Sequence, residues 1–164
     1  MSRRNVREFA DKPIPPGYLD RILEAGRRAP SSQNWQPWDF IAVRNREQLV
    51  KLSGVWRGAG HVAKSAATIA LIAPQPDSDQ VRARQNYDLG QATMSIMITA
   101  ADMGIGSCHS SVGDQDAARE ILGFPEDRRC AYLISLGYPA GRPLALIKHP
   151  DRRPFDEVAH FDRW

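Results

Sequence analysis

Arg3, Arg4 and Arg7 bring three guanidiniums into one short peptide near the start of the chain. Planar guanidinium forks match phosphate and carboxylate oxygens in paired, charge-assisted hydrogen bonds, so this cluster has the chemistry of an anion site. A solvated basic terminus has the same composition. A second polar set, Pro30-Ser31-Ser32-Gln33-Asn34, offers two hydroxyls and an amide between Pro30 and Pro37, in a segment that cannot continue a helix. Such a loop can hold a ligand. A third set, Ser107-Cys108-His109-Ser110-Ser111, lines up a thiol, an imidazole and three hydroxyls. Neighbours on an extended segment point to opposite faces, so Cys108 and His109 do not converge, and no other metal-ligand spacing surrounds them. We expect no metal, and a packed thiol at Cys108. Trp56 and Arg57, among Gly54, Gly58 and Gly60, make a candidate flap. Lys148, Arg152 and Arg153 add a second basic group in the tail.

The elements that must position these residues follow from periodicity. Arg3 to Phe9 reads as one short helical turn before Asp11-Lys12-Pro13 breaks it. Pro15-Pro16 opens a helix to about Ala29, with Leu19, Ile22, Leu23 and Gly26 on one face. After the polar loop, Trp38 to Val43 reads as a buried strand, and Arg46 to about Ser53 as a helix. His61 to Ala67 is a short helix leading into a strand, Thr68 to Ala73, bounded by Pro74 and Pro76. The longest helical pattern, Asp79 to Met103, is apolar on nearly every face beyond Leu89, so it belongs at the centre of a domain or in a dimer interface. Gly104-Ile105-Gly106 stops it. Asp114 caps a helix to Leu122 that ends at Gly123, and Cys130 to Leu136 is a third strand. The tail from Leu144 carries Phe155, Phe161 and Trp164, which suggests that it docks on something.

Composition bounds the classes. A chain of 164 residues with 42% hydrophobic residues suits one domain over 1–164 with a sizeable core. A net charge of +3 is compatible with an anionic small ligand, but the basic residues sit mainly at the two ends and form no nucleic-acid face. The longest uncharged run, Leu89 to Ala101, is too short to cross a bilayer, and MSRRNVREF has no apolar signal core. Two cysteines without C-x-x-C spacing read as reduced thiols. A soluble cytoplasmic protein is expected.

The set Arg3-Arg4-Asn5-Val6-Arg7-x-Phe9, Ala29-Pro30-Ser31-Ser32-x-Asn34-x-Gln36-Pro37-Trp38, Gly104-Ile105-Gly106-Ser107-Cys108 and Leu136-Gly137-Tyr138-Pro139, with a basic-Pro-acidic tail ending near Trp164, resembles the FMN-dependent nitroreductase family. Five pieces in the right order span almost the whole chain. The resemblance implies an α+β three-layer sandwich: a mixed, mainly antiparallel sheet flanked by helices, in an intertwined homodimer whose tail, 144–164, crosses to the partner's sheet. It implies FMN as cofactor and NAD(P)H as electron donor. By motif, Arg3 and Asn5, with Arg4 beside them, face the FMN phosphate or ribityl chain, and Arg7 the pyrimidine edge. Pro30, Ser31, Ser32 and Asn34 come to the flavin from the other subunit. His109, Ser110 and Ser111 lie against the ring, with the Ser111 N–H directed at N5, and Arg152 with Lys148 or Arg153 closes on the phosphate.

The activity implied is ping-pong hydride transfer from NAD(P)H through flavin N5 to a nitroaromatic, quinone or similar small-molecule acceptor. No side chain need act as acid or base. Trp56 and Arg57 are the candidates for substrate or nicotinamide contact, while Trp35 and Trp38 could stack on a ligand or simply pack. The chain departs from the family pattern in having Asn5 where Ser is more frequent, and little sequence for a lid between Leu52 and Thr68 or between Ala73 and Asn86. A flavin-binding storage or redox-sensor protein is the alternative.

Overall fold

The run ATIALIAP is apolar along its length, and a strand of that kind must be covered on both faces. It sits in the middle of the fold. A computed structural model describes residues 4–145 and 147–164 of the chain. They form α1 (Pro16–Arg27), β1 (Asp39–Val43), α2 (Arg46–Leu52), β2 (Ala67–Pro74), α3 (Asp79–Asp102), β3 (Gly106–Ser111), α4 (Gln115–Leu122) and β4 (Arg128–Gly137). Short 3-10 turns occupy Ser32–Asn34, Gly60–Lys64 and Phe155–Glu157.

The strands make one four-stranded sheet in the order β1-β2-β4-β3, with every neighbouring pair antiparallel. Period-2 alternation sends Ala67, Ile69, Leu71 and Ala73 to one face, where they meet Ile134 and Leu136 of β4, Leu19 and Ile22 of α1, and Leu89, Ala92, Ile96 and Ala100 of α3. Ala70 and Ile72 go to the other face, to join Leu133, Leu49 and Leu52 of α2, and Ala118 of α4. Helices therefore cover both faces, the expected α+β sandwich. Among the described residues the parallel pairing is an isolated bridge between Asn5 and Ser107 at the free edge of β3.

Local signals fixed several element ends. The Asn45 side chain accepts the Gln48 N–H at 3.0 Å to start α2, and the Asp114 side chain accepts the Ala117 N–H at 2.9 Å to start α4. The start of α3 is capped by Ser78, whose hydroxyl accepts the Val81 N–H at 3.3 Å.

Two expectations need correction. Residues 4–9 of the basic terminus are extended rather than helical, because their backbone pairs with distant chain: Val6 N–H donates to the Ser107 carbonyl at 2.9 Å and Ala10 N–H to the Tyr138 carbonyl at 2.8 Å. The segment before β2 is a 3-10 turn, Gly60–Lys64, rather than a helix to Ala67. Within the chain the long helix α3 buries Leu89, Ala92, Ile96, Met97 and Ala100 and leaves Tyr87 and Met94 exposed, so of the two places expected for it, domain centre or dimer interface, the first accounts for one face only. Among the described residues no helix is long and apolar enough to cross a membrane.

Candidate active site

The N-terminal segment is laid across the ends of β3 and β4, and two glycines let it approach. A Cβ on Gly106 would stand 2.7 Å from the Val6 side chain, and one on Gly137 2.7 Å from Phe9, both impossible contacts. Burying Val6 and Phe9 there holds the residues between and beside them in place. The result is a cavity of about 180 Å³ lined by Arg4, Asn5, Arg7, Glu8 and, from beyond β4, Arg142. Arg4 donates from Nη2 to the Arg142 carbonyl, and its Nε is buried with no hydrogen-bond partner among the described residues. Three cations against the one carboxylate of Glu8 leave this small concavity with excess positive charge, which suits an anion. Arg142 was missed in the sequence, where it stands alone in a proline- and glycine-rich turn. Arg3 lies outside the described residues.

β3 is an edge strand, and its parity has a consequence. The Ser107 carbonyl accepts from Val6 on the open side of β3, and alternate residues of a strand present their backbone groups to the same side. His109 and Ser111 therefore turn their N–H and C=O groups toward that open edge, C-terminal to the point where Val6 is bound. Cys108 is buried and the His109 side chain exposed, as opposite directions require. Ser110 is buried. Among the described residues no group of His, Cys, Asp and Glu could hold a metal ion.

The expected mobile flap is docked. The Val55 carbonyl accepts both the Gly113 and the Asp114 N–H at 3.0 Å, and Val55 itself is buried. This fixes Trp56 directly over Gly113, where a Cβ would meet the indole at 2.4 Å. The Trp56 ring, 38% exposed, carries the Arg57 guanidinium 5.5 Å from its centroid. Both side chains thus flank the C-terminal end of β3, two residues from Ser111.

The polar loop lies elsewhere in the chain. Ser32 donates its N–H and its hydroxyl to Asp88 Oδ1 on α3, and the Ser31 hydroxyl accepts the Gln36 N–H at 2.9 Å. Pro30 and Asn34 are exposed beside them, and none of these residues lines the arginine cavity. The tail is likewise apart: Lys148, Arg152 and Arg153 are exposed, Arg153 faces Glu157 at 3.4 Å, and none of the three reaches the cavity. Within one chain the N-terminal arginines lie beside the start of β3 and Trp56 beyond its far end, while His109 lines a separate cavity against α3; the Pro-Ser-Ser loop and the tail line neither cavity.

The nitroreductase family model matches residues 1–79 and 54–138. A protein of Archaeoglobus fulgidus provisionally named NADH dehydrogenase/NAD(P)H nitroreductase is 35% identical over 167 residues, covering 99% of this chain and 95% of the relative. The FMN reductase [NAD(P)H] of Bacillus subtilis is 27% identical over 149 residues, 88% of this chain and 55% of that protein. In structure, the FMN-dependent nitroreductase of Clostridium difficile R20291 superposes with a TM-score of 0.85 at 26% identity, covering 99% of this chain and 96% of the other. The chain belongs to the nitroreductase family and is, as such, an oxidoreductase.

Proposed function

We propose that this protein binds FMN and uses it to carry hydride, in a ping-pong sequence, from NAD(P)H to a nitroaromatic, quinone or similar acceptor. The observation that carries the reading is the junction of a three-arginine cavity with an open strand edge whose backbone groups are unclaimed by β4. The donor set fits the cofactor: Arg4, with its unmet Nε, Asn5 and Arg142 suit a phosphate, and Arg7 suits the electron-rich pyrimidine. Bound FMN would supply a two-electron carrier that reacts at N5.

The chain's own groups have the remaining work. The Ser111 N–H orients N5, and a fixed guanidinium at Arg7 stabilises negative charge that develops at the pyrimidine. Trp56 and Arg57 bound the space where nicotinamide and acceptor take turns, and keep water from it. Separation of the Pro-Ser-Ser loop and of Arg152 from the cavity within one chain supports a site completed by a second copy, in a homodimer whose tails cross.

The test is an absorbance spectrum of purified protein after FMN addition and desalting, followed by NADH or NADPH under nitrogen. A flavin band that co-elutes and then bleaches supports the oxidoreductase reading. A band that co-elutes and never bleaches favours storage or sensing. A protein that retains no flavin, and does not bind it in titration, loses the assignment.

A further inference from the structure

Four cations that belong to no motif gather on the surface beyond Phe9. Lys12, Arg44, Arg46 and Lys64 come from three remote parts of the chain and line one cavity of about 270 Å³, in which Asp11 is the one carboxylate. Arg46 and Lys64 also line an adjoining hollow of about 260 Å³, against Phe9 and Ala63. Neither shares a residue with the arginine cavity of the candidate active site.

The fold forces this meeting. Ala10 N–H donates to the Tyr138 carbonyl at 2.8 Å, which fixes the chain that carries Lys12. β1 and β2 pair as far as Val43 and Thr68, so Arg44 and Arg46 come out beside the turn that ends at Lys64. Two of the four side chains are anchored: Arg46 Nη1 donates to the Ala63 carbonyl at 2.6 Å, and the Lys12 ammonium stands 4.1 Å from the centroid of the Tyr138 ring. Elsewhere on the surface basic residues have acidic partners, as Arg27 and Arg28 have Glu24, Lys51 has Glu47 and Arg119 has Asp116. Among the described residues none of these four forms an ion pair. A merely solvated basic face needs neither a concavity nor anchored side chains. Charge of one sign around a hollow focuses the potential there and draws in anions.

We propose that these residues form a second anion site, which takes a diphosphate group, either free pyrophosphate or the diphosphate of a nucleotide. Two adjoining hollows suit two linked phosphoryl groups, with Arg46 and Lys64 common to both and Lys12 and Arg44 closing on one. Guanidinium and ammonium donors supply charge-assisted hydrogen bonds to the phosphoryl oxygens. The Asp11 carboxylate opposes binding and lowers affinity. The site stands independently of the flavin reading.

The experiment is isothermal titration of the purified protein with inorganic pyrophosphate, orthophosphate and adenosine 5'-diphosphate at low salt, where exposed charges are least screened. Wild type is expected to bind pyrophosphate at least about tenfold more tightly than orthophosphate, the scale of one added charge-assisted hydrogen bond. The double variant Lys12→Gln/Lys64→Gln changes only exposed side chains and is expected to lose about tenfold or more in pyrophosphate affinity. Arg7→Gln/Arg142→Gln, in the other cavity, is expected to bind pyrophosphate as wild type does, and Asp11→Asn to bind it more tightly. Adenosine 5'-diphosphate held more tightly than pyrophosphate, and weakened by the same Lys12/Lys64 variant, identifies a nucleotide as the source; equal or weaker binding identifies the free diphosphate. No binding of pyrophosphate to wild type overturns the proposal, as does equal affinity for orthophosphate. A loss that follows the Arg7/Arg142 variant instead of the Lys12/Lys64 variant overturns it too.

Discussion

Ser32 gives both its backbone N–H and its hydroxyl to one oxygen of Asp88, each at 3.0 Å, and so ties the Pro-Ser-Ser loop to α3. The tie holds a loop that needs holding: Gln33, Asn34 and Gln36 have φ of 53°, 57° and 52°, a left-handed conformation that non-glycine residues adopt at a cost. A second tie is the Arg84 guanidinium, also from α3, 4.6 Å from the centroid of the Trp35 ring.

Asp88→Ala should therefore lower stability by about 2–4 kcal/mol, since it strands two donors and releases a strained loop. Asp88→Asn keeps an acceptor oxygen and should cost less than half of that. Urea denaturation gives both values. On the shared-site reading FMN affinity falls with them; equal stability of the two variants would show that the hydrogen bonds to Ser32 are not what holds the loop.

At the other side of the site the glycines set the geometry. Gly106→Ala places a methyl 2.7 Å from Val6, and Gly137→Ala one 2.7 Å from Phe9. Each should lift the N-terminal segment from the β3 edge, with a stability loss of about 1–3 kcal/mol. FMN should bind at least about tenfold more weakly, because Arg4 and Arg7 travel with that segment. Titration of folded variants checks this, and undiminished affinity would separate the arginines from the cofactor.

The docked indole makes a different prediction. Trp56→Ala removes the surface beside Ser111, and Gly113→Ala pushes the same ring aside from a predicted contact of 2.4 Å. Both should raise KM for nicotinamide or acceptor by about three- to tenfold, the scale of one aromatic contact. Retained FMN should not change. Steady-state kinetics with each substrate varied in turn distinguishes this from loss of cofactor.

Acidification should expose His61. The unfolded chain takes up a proton at this residue near 6.5, whereas the fold resists it to a lower pH. The unfolded state then binds more protons, so stability is full above 6.5 and declines as pH falls below that value toward the folded pKa. Urea midpoints measured from pH about 7.5 to about 5.5 should decrease for wild type and stay flatter for His61→Gln. Glu24 is distinguishable: hydrogen bonds from Arg27 and then Arg28 hold its carboxyl at about 2, so its contribution is lost only as pH falls below the usual 4.5 toward 2.

The buried thiol of Cys130, pushed up to about 12 by burial, and the buried Cys108 match the sequence reading of inert, packed cysteines. What the sequence by itself determined was local. The 3.6-residue spacing of Leu19, Ile22 and Gly26 marked α1, the apolar run 68–73 marked the central strand, and Asp114 and Gly123 marked both ends of α4, because each signal needs only near neighbours in the chain. Family motifs likewise marked the arginines and the Ser107–Ser111 stretch. Only the tertiary structure decided what these pieces meet. The basic terminus looked helical in isolation and became extended because the β3 edge, about a hundred residues away, offered its backbone a partner. Arg142 joined the cavity through the turn after β4, and His61 acquired its hydrogen-bond partner in Ser135, which is remote in sequence and adjacent only in the fold. Long-range pairing of this kind depends on which strands become neighbours, and no periodicity within a segment encodes that.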